Sequence, residues 1–176
     1  MEIGFQILSG IQALRQPWLD QLMIILSHLG SAKVIWIVPV LLLLYKPTRR
    51  SGFCCIMALL LSVLFCNLLV KNIVLRPRPF ELRELELLAP PPQDASFPSG
   101  HASASFALAT GLVKKGPKAA VSAYLLAALI SFSRLYLQVH FPGDVLGGAI
   151  MGCGCGFLAT WLLGKLEGRR NGKSAA

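Results

Sequence analysis

The sequence predicts an all-α, polytopic membrane protein: a six-helix bundle preceded by an amphipathic helix lying at the membrane interface. Three observations carry this. Across 176 residues the mean hydropathy is +0.63 and only 14% of residues are charged, too apolar for a soluble domain of this length. Stretches free of Asp, Glu, Lys and Arg cover 51–70, 119–133 and 145–164, and about 20 helical residues span a hydrocarbon core of about 30 Å. Basic residues cluster beside these stretches, at 46–50, 114–118 and 165–173.

Residues 1–17 carry Glu2 and Arg15 and lack the continuous apolar centre of a cleavable signal peptide. Ile3, Ile7, Ile11 and Leu14 share one helical face before Pro17, which predicts the interfacial helix. Residues 21–32 and 34–45 are uncharged but short, separated by Lys33, and are read as the first two spans. His28 stands alone in the first and is expected to make an interhelical hydrogen bond. The third span is 51–70, the fourth 95–113, the fifth 119–133 and the sixth 145–164. Cys54, Cys55, Cys66, Cys153 and Cys155 all fall within spans at spacings that match no metal site, and are read as small packing residues. The one long irregular connection, 76–98, is rich in proline, and Glu81 to Leu88 within it is expected to form a short surface helix over the site. With no linker and no internal repeat, 1–176 reads as a single domain.

The net charge of +9 suggests nucleic acid only until its distribution is considered. Lys46, Arg49 and Arg50, then Lys114, Lys115 and Lys118, then Lys165, Arg169, Arg170 and Lys173 all fall on one side of a six-span chain. By the positive-inside rule that side is the cytoplasm, which places both termini there and predicts a multi-pass protein of the cell (plasma or inner) membrane, with no nucleic-acid partner.

Three polar blocks interrupt the apolar background: Lys71 followed after six residues by Arg78-Pro79; Pro98-Ser99-Gly100-His101; and Ser133-Arg134, five residues, His140, three residues, Asp144. Charges inside a membrane segment cost several kcal/mol by roughly any scale and mark function by default. The expected topology puts all three blocks at the extracytoplasmic face. Lys71, Arg78 and Arg134 supply the positive charge that a phosphate needs when no metal is present, and Ser99 and Gly100 add neutral donors at a helix start. Asp144, four residues after His140, suits a carboxylate that orients an imidazole nucleophile, while His101, with no acid in its block, suits a general acid. No metal or other cofactor is expected. Arg76-Pro77 reads as a basic flank beside the block, and the Pro-Ser-Gly turn alone is also an ordinary helix cap.

Together the blocks resemble the signature of the type 2 phosphatidic acid phosphatase (PAP2) superfamily, over roughly residues 67–150. The resemblance implies a compact membrane helix bundle that dephosphorylates lipids, with His140 as nucleophile, Asp144 supporting it, His101 as acid and base, and Lys71, Arg78, Ser99, Gly100 and Arg134 binding phosphate. The expected partners are the bilayer and a lipid phosphate or diphosphate, with undecaprenyl diphosphate foremost and phosphatidylglycerol phosphate, phosphatidic acid or a lipid A phosphate as alternatives. The rival from another class is a non-catalytic phospholipid-binding or transport protein, which leaves both histidines without a purpose.

Overall fold

The computed structural model describes the backbone of residues 1–173 and the side chains of residues 1–168. Arg169, Arg170 and Lys173 of the basic tail lie outside those side chains. Every regular element among the described residues is helical: α1 (Glu2–Gln12), α2 (Pro17–Leu29), α3 (Ile37–Leu44), α4 (Arg49–Ser62), α5 (Lys71–Val74), α6 (Pro79–Leu82), α7 (Gly100–Gly111), α8 (Pro117–Tyr136) and α9 (Pro142–Lys173). Proline opens α2, α6, α8 and α9, where its missing N–H is no loss and its fixed φ is already helical. α4 runs into α5 through a wider π-type segment, Val63–Val70, and Leu75, at φ 46°, turns the chain out of the helix directly afterwards. Three helical stretches are long and apolar enough to cross a membrane: Lys46–Leu82, Pro117–Tyr136 and Pro142–Gly168.

α7 is the central helix, packed against α9, α8 and α4. Its side chains are mostly Ala, Ser and Gly, and α9 meets it with Gly148 and Gly152. A Cβ at Gly148 would lie 2.6 Å from the Ser99 carbonyl oxygen, and one at Gly152 would strike the Ser103 carbonyl. The two backbones therefore touch, the small-residue mode by which helices associate without a hydrophobic driving force. Below this contact Cys54, Ala58, Ala107, Cys155 and Ala159 form a core of equally small groups. All five cysteines are free thiols, four of them buried. The larger apolar side chains point outward instead, among them Leu64, Leu68, Leu125, Leu129, Ile150 and Phe157, a surface suited to lipid rather than water.

α2 begins beside the C-terminal end of α8, where Tyr136 Oη donates to Asp20 at 2.6 Å, and passes Arg134, which donates to Ser27 Oγ. After the bend at 30–36, α3 continues in the same sense until Leu43 lies against Gly52 near the start of α4. α2 and α3 thus make one pass where two spans were expected. Among the described residues the bundle is thus traversed five times, by α2–α3, α4–α5, α7, α8 and α9, where six spans were expected. Gly30, close-packed on Ile130, lets the chain jog without reversing, so a charge-poor run interrupted by Lys33 only resembles a hairpin. With an odd number of passes, α1 lies at the same end as the 76–98 connection, and α9 runs to the other, where Glu167 pairs with Arg50. α1 and the far end of α9 thus lie at opposite ends of the bundle, unlike the shared side expected of the two termini.

Two local expectations are also corrected. The connection contains only the short α6, which starts before Glu81 because the Glu81 carboxylate accepts from the Arg78 N–H at 2.9 Å. It ends at an extended Arg83, which ion-pairs with Glu2 at 2.9 Å and stacks on Phe5. His28 is exposed and makes no side-chain hydrogen bond among the described residues; its neighbour Ser27 holds the inward position. In α1, Phe5 and Leu8 pack inward, Phe5 edge-on to Phe141 at 5.2 Å. Ile3, Ile7 and Leu14 are the exposed face.

Close backbone contact makes an asymmetric prediction for α9. Gly152→Leu should destabilise the protein by about 2 kcal/mol or more, or abolish folding, because the added carbons have nowhere to go. Gly154→Leu, with nothing within 4 Å of a new Cβ, should stay within about 0.5 kcal/mol of wild type. Thermal unfolding of the two detergent-solubilised variants reads the difference.

Candidate active site

The three polar blocks arrive at one end of the bundle by different routes. The π-type segment and α5 deliver Asn67 and Lys71, the connection delivers Arg78 and Asp94, and the start of α7 delivers Gly100 and His101. The end of α8 brings Arg134, and the tight link from Leu137 to Phe141 brings His140. These side chains line a cavity of about 210 Å³. Asp94 is the one acidic residue on its wall, against Lys71, Arg78 and Arg134, so the cavity is cationic and suited to an anion, with the start of the 12-residue α7 adding its free N–H groups. Among the described residues no group of three or more His, Cys, Asp or Glu side chains is placed to hold a metal ion.

Six of the eight residues expected from the sequence line the cavity: Lys71, Arg78, Gly100, His101, Arg134 and His140. Ser99 and Asp144 stand behind it, both fully buried. Ser99 caps α7, its Oγ accepting from the Ala102 N–H at 3.5 Å, while its own N–H donates to the Asp144 carbonyl at 2.9 Å. His101 faces the cavity from the first turn of α7, its ring also close to Gly30. Arg134 spends one N–H on Ser27 Oγ and keeps a buried Nε with no protein partner.

The His140 imidazole is oriented from both sides. Arg78 Nη1 lies 3.2 Å from Nε2 and 2.7 Å from the Val139 carbonyl oxygen. A guanidinium only donates, so Nε2 must accept, and the proton of the neutral ring belongs on Nδ1. Nδ1 faces Ser96 Oγ at 3.5 Å and Asp144 Oδ2 at 3.7 Å. The direct carboxylate–imidazole bond expected from the His-x3-Asp spacing is thus relayed by a serine, whose hydroxyl donates to Asp144 Oδ2 at 2.5 Å. Burial pushes the imidazole down to about 4, against the opposing pull of Asp144 and with the guanidiniums of Arg78 and Arg134 adding to the fall. At neutral pH the ring is therefore uncharged, its Nε2 lone pair directed at Arg78 Nη1 on the cavity side.

Asp144 collects more partners than its spacing suggested. The Phe141 N–H donates to it at 2.8 Å, and Arg76 Nη1 donates at 2.8 Å while stacking over the Phe141 ring at 4.7 Å. Arg76, taken from sequence as a basic flank, is the ion-pair partner of the buried carboxylate. Ser96, Asn67 and Asp94 were missed as well. The doubled Arg-Pro of 76–79 was the one signal for Arg76, since residues i and i+2 of an extended segment share a face. Asp94 joins Lys71 to Arg78: it pairs with Lys71 Nζ through Oδ2 and with Arg78 Nη2 through Oδ1 at 2.6 Å, and its carbonyl accepts from Arg78 Nε at 2.7 Å. Burial raises the Asp94 carboxyl, but the hydrogen bond and charge of Lys71 and the charge of Arg78 outweigh it and hold the group at about 2.

The likeness to known proteins agrees with this geometry. The family model for the PAP2 superfamily matches residues 51–167. An undecaprenyl-diphosphatase of Sulfolobus acidocaldarius is 35% identical over 145 residues, which are 81% of this chain and 69% of that protein. A lipid A 4'-phosphatase of Bacteroides thetaiotaomicron is 30% identical, covering 96% of this chain and 80% of that one. Among solved structures, Aquifex aeolicus LpxE superposes with a TM-score of 0.80 at 30% identity, covering 89% of this chain and 93% of that one. The transmembrane phosphatidylglycerolphosphate phosphatase of Bacillus subtilis gives 0.77 at 29% identity, with 93% and 86% covered. Motif blocks, cavity and relatives converge, and the chain belongs to the PAP2 superfamily of membrane lipid phosphatases.

Proposed function

We propose that the protein, as one domain over 1–176 with its catalytic motifs within 71–144, hydrolyses a lipid diphosphate at the extracytoplasmic face through a phosphohistidine on His140. The observation that carries this reading is the fixed imidazole: Nε2 lies at a cationic cavity while Nδ1 is turned toward Ser96 and Asp144. Undecaprenyl diphosphate is the preferred substrate, in keeping with the undecaprenyl-diphosphatase relative of highest identity quoted above. The lipid A and phosphatidylglycerolphosphate phosphatases among its relatives make their substrates the second choice. Membership of a phosphatase family removes the rival reading of a non-catalytic binder or transporter.

In the first step the Nε2 lone pair of His140 attacks phosphorus. The bond to the leaving oxygen breaks as His101 protonates it, and undecaprenyl phosphate departs. The new imidazolium carries its proton on Nδ1, where the Asp144 charge, relayed by Ser96, stabilises it. Lys71, Arg78, Arg134 and the α7 amides near Ser99 and Gly100 take up the charge on the non-bridging oxygens. In the second step His101, now neutral, removes a proton from water as it attacks the phosphoryl group, and His140 leaves with its lone pair restored. Phosphate is released, and no cofactor or metal enters either step.

The side of the membrane follows from the charge distribution. Lys46, Arg49, Arg50, Lys114, Lys115 and Lys118 belong to the end opposite the site. The positive-inside rule puts that end in the cytoplasm. An odd number of traverses is in keeping with α1 lying outside, Ile3, Ile7 and Leu14 resting in the interface of the outer leaflet.

Three measurements test the proposal. A panel of lipid phosphates presented to the purified protein with EDTA should release phosphate fastest from undecaprenyl diphosphate, and orthovanadate should inhibit; a requirement for added magnesium would sink the mechanism. His101→Ala should lose most activity on an alkyl lipid phosphate yet keep a measurable rate with p-nitrophenyl phosphate, whose leaving group needs no proton. His140→Ala should lose at least about 10³-fold on both; equal losses in the two variants on both substrates overturn the division of roles. In a cysteine-free background, a cysteine at Glu84 should react with an impermeant thiol reagent outside intact cells while one at Arg50 stays unlabelled, and the reverse pattern moves the site to the cytoplasm.

A further inference from the structure

The cradle already holds an anion, and the chain itself supplies it. The Asp94 carboxylate bridges Lys71 Nζ and Arg78 Nη2, two donors with no other carboxylate partner. Arg78 has committed its remaining donors elsewhere: Nε to the Asp94 carbonyl, Nη1 to the Val139 carbonyl and to His140. Lys71 and Arg78 are almost wholly buried, at 7% and 2% side-chain exposure, whereas the Asp94 side chain is 57% exposed. The cations are thus fixed parts of the bundle, while the carboxylate enters from the open side on an irregular segment after Pro90-Pro91-Pro92.

We propose that Asp94 is an internal competing anion that sets an affinity threshold: it occupies the phosphate subsite between Lys71 and Arg78 and must be displaced by every ligand that binds there. The inference rests on the proposed reading of Lys71 and Arg78 as the phosphate cradle. Displacement subtracts the same free energy from all anions, so it sets a threshold rather than a ratio. A phosphate monoester or diphosphate brings close to two charges or more and several terminal oxygens, which match both donors and exceed what one carboxylate offers. The phosphodiester of a bulk membrane phospholipid brings one charge and gains little by the exchange. In a membrane where such diesters vastly outnumber the substrate, this keeps the site free of them.

Substituting Asp94 leaves Arg78 tethered, because its main-chain acceptors at residues 94 and 139 remain. In Asp94→Asn the dissociation constant of inorganic phosphate, measured by calorimetry in detergent, should fall about tenfold, or about 1.4 kcal/mol. Phosphatidylglycerol added to mixed micelles should then inhibit turnover by the variant and not by wild type, while Asp94→Glu should behave like wild type. An unchanged or larger dissociation constant in Asp94→Asn overturns the proposal. Lys71→Gln separates its failure from failure of the cradle reading: phosphate affinity unaltered by Lys71→Gln sinks the cradle itself. Should Asp94→Asn not fold, hydrogen exchange of wild-type residues 93–96 decides. Orthovanadate should speed exchange there as Asp94 is released, and slowed or unaltered exchange contradicts displacement.

Discussion

A carboxylate with no exposure to water, Asp144 at the start of α9, is the point on which the active end of this protein is assembled. An uncompensated buried charge costs several kcal/mol, so everything that satisfies it is held in place. Arg76 comes from one end of the connection and Ser96 from the other, and the Phe141 N–H comes from the link after α8. Through its main-chain carbonyl the same residue also receives the Ser99 N–H at the start of α7. Four groups from three stretches of chain are thereby fixed relative to His140. The chemistry inherits this order, since the Ser96 hydroxyl that satisfies Asp144 is also what faces Nδ1.

That assembly needs helices that approach closely. The Gly148 and Gly152 contacts draw α9 against α7 until backbone meets backbone, which brings His101 and His140 onto one cavity. The cations gathered there repel one another, and the half-exposed Asp94 offsets them by bridging Lys71 and Arg78.

The site was legible from sequence wherever a charge interrupted an apolar run: Lys71, Arg134, His140 and Asp144 stand out against Leu and Ala because burying them in lipid needs a reason. Arg76, Ser96 and Asp94 were not, since they lie in a polar connection where charge is expected and only the course of the chain shows which residues turn inward. The same limit explains the fold-level differences. Hydropathy reports that 21–32 and 34–45 are apolar but not whether the bend between them reverses direction, so one pass was read as two. Periodicity found the apolar face of α1 but not where it points. In a lipid-exposed helix Ile3 and Ile7 face outward, while Phe5 and Leu8, less regular in spacing, pack on Phe141.

The account depends most on Nε2 of His140 being the atom that takes the phosphoryl group. Mixing the protein with radiolabelled undecaprenyl diphosphate, labelled in its terminal phosphate, and quenching in alkali within milliseconds preserves an acid-labile phosphohistidine for peptide mapping. The account predicts label on the peptide containing His140, attached at Nε2. Label on His101, attachment at Nδ1, or full turnover with no labelled peptide at any quench time contradicts it.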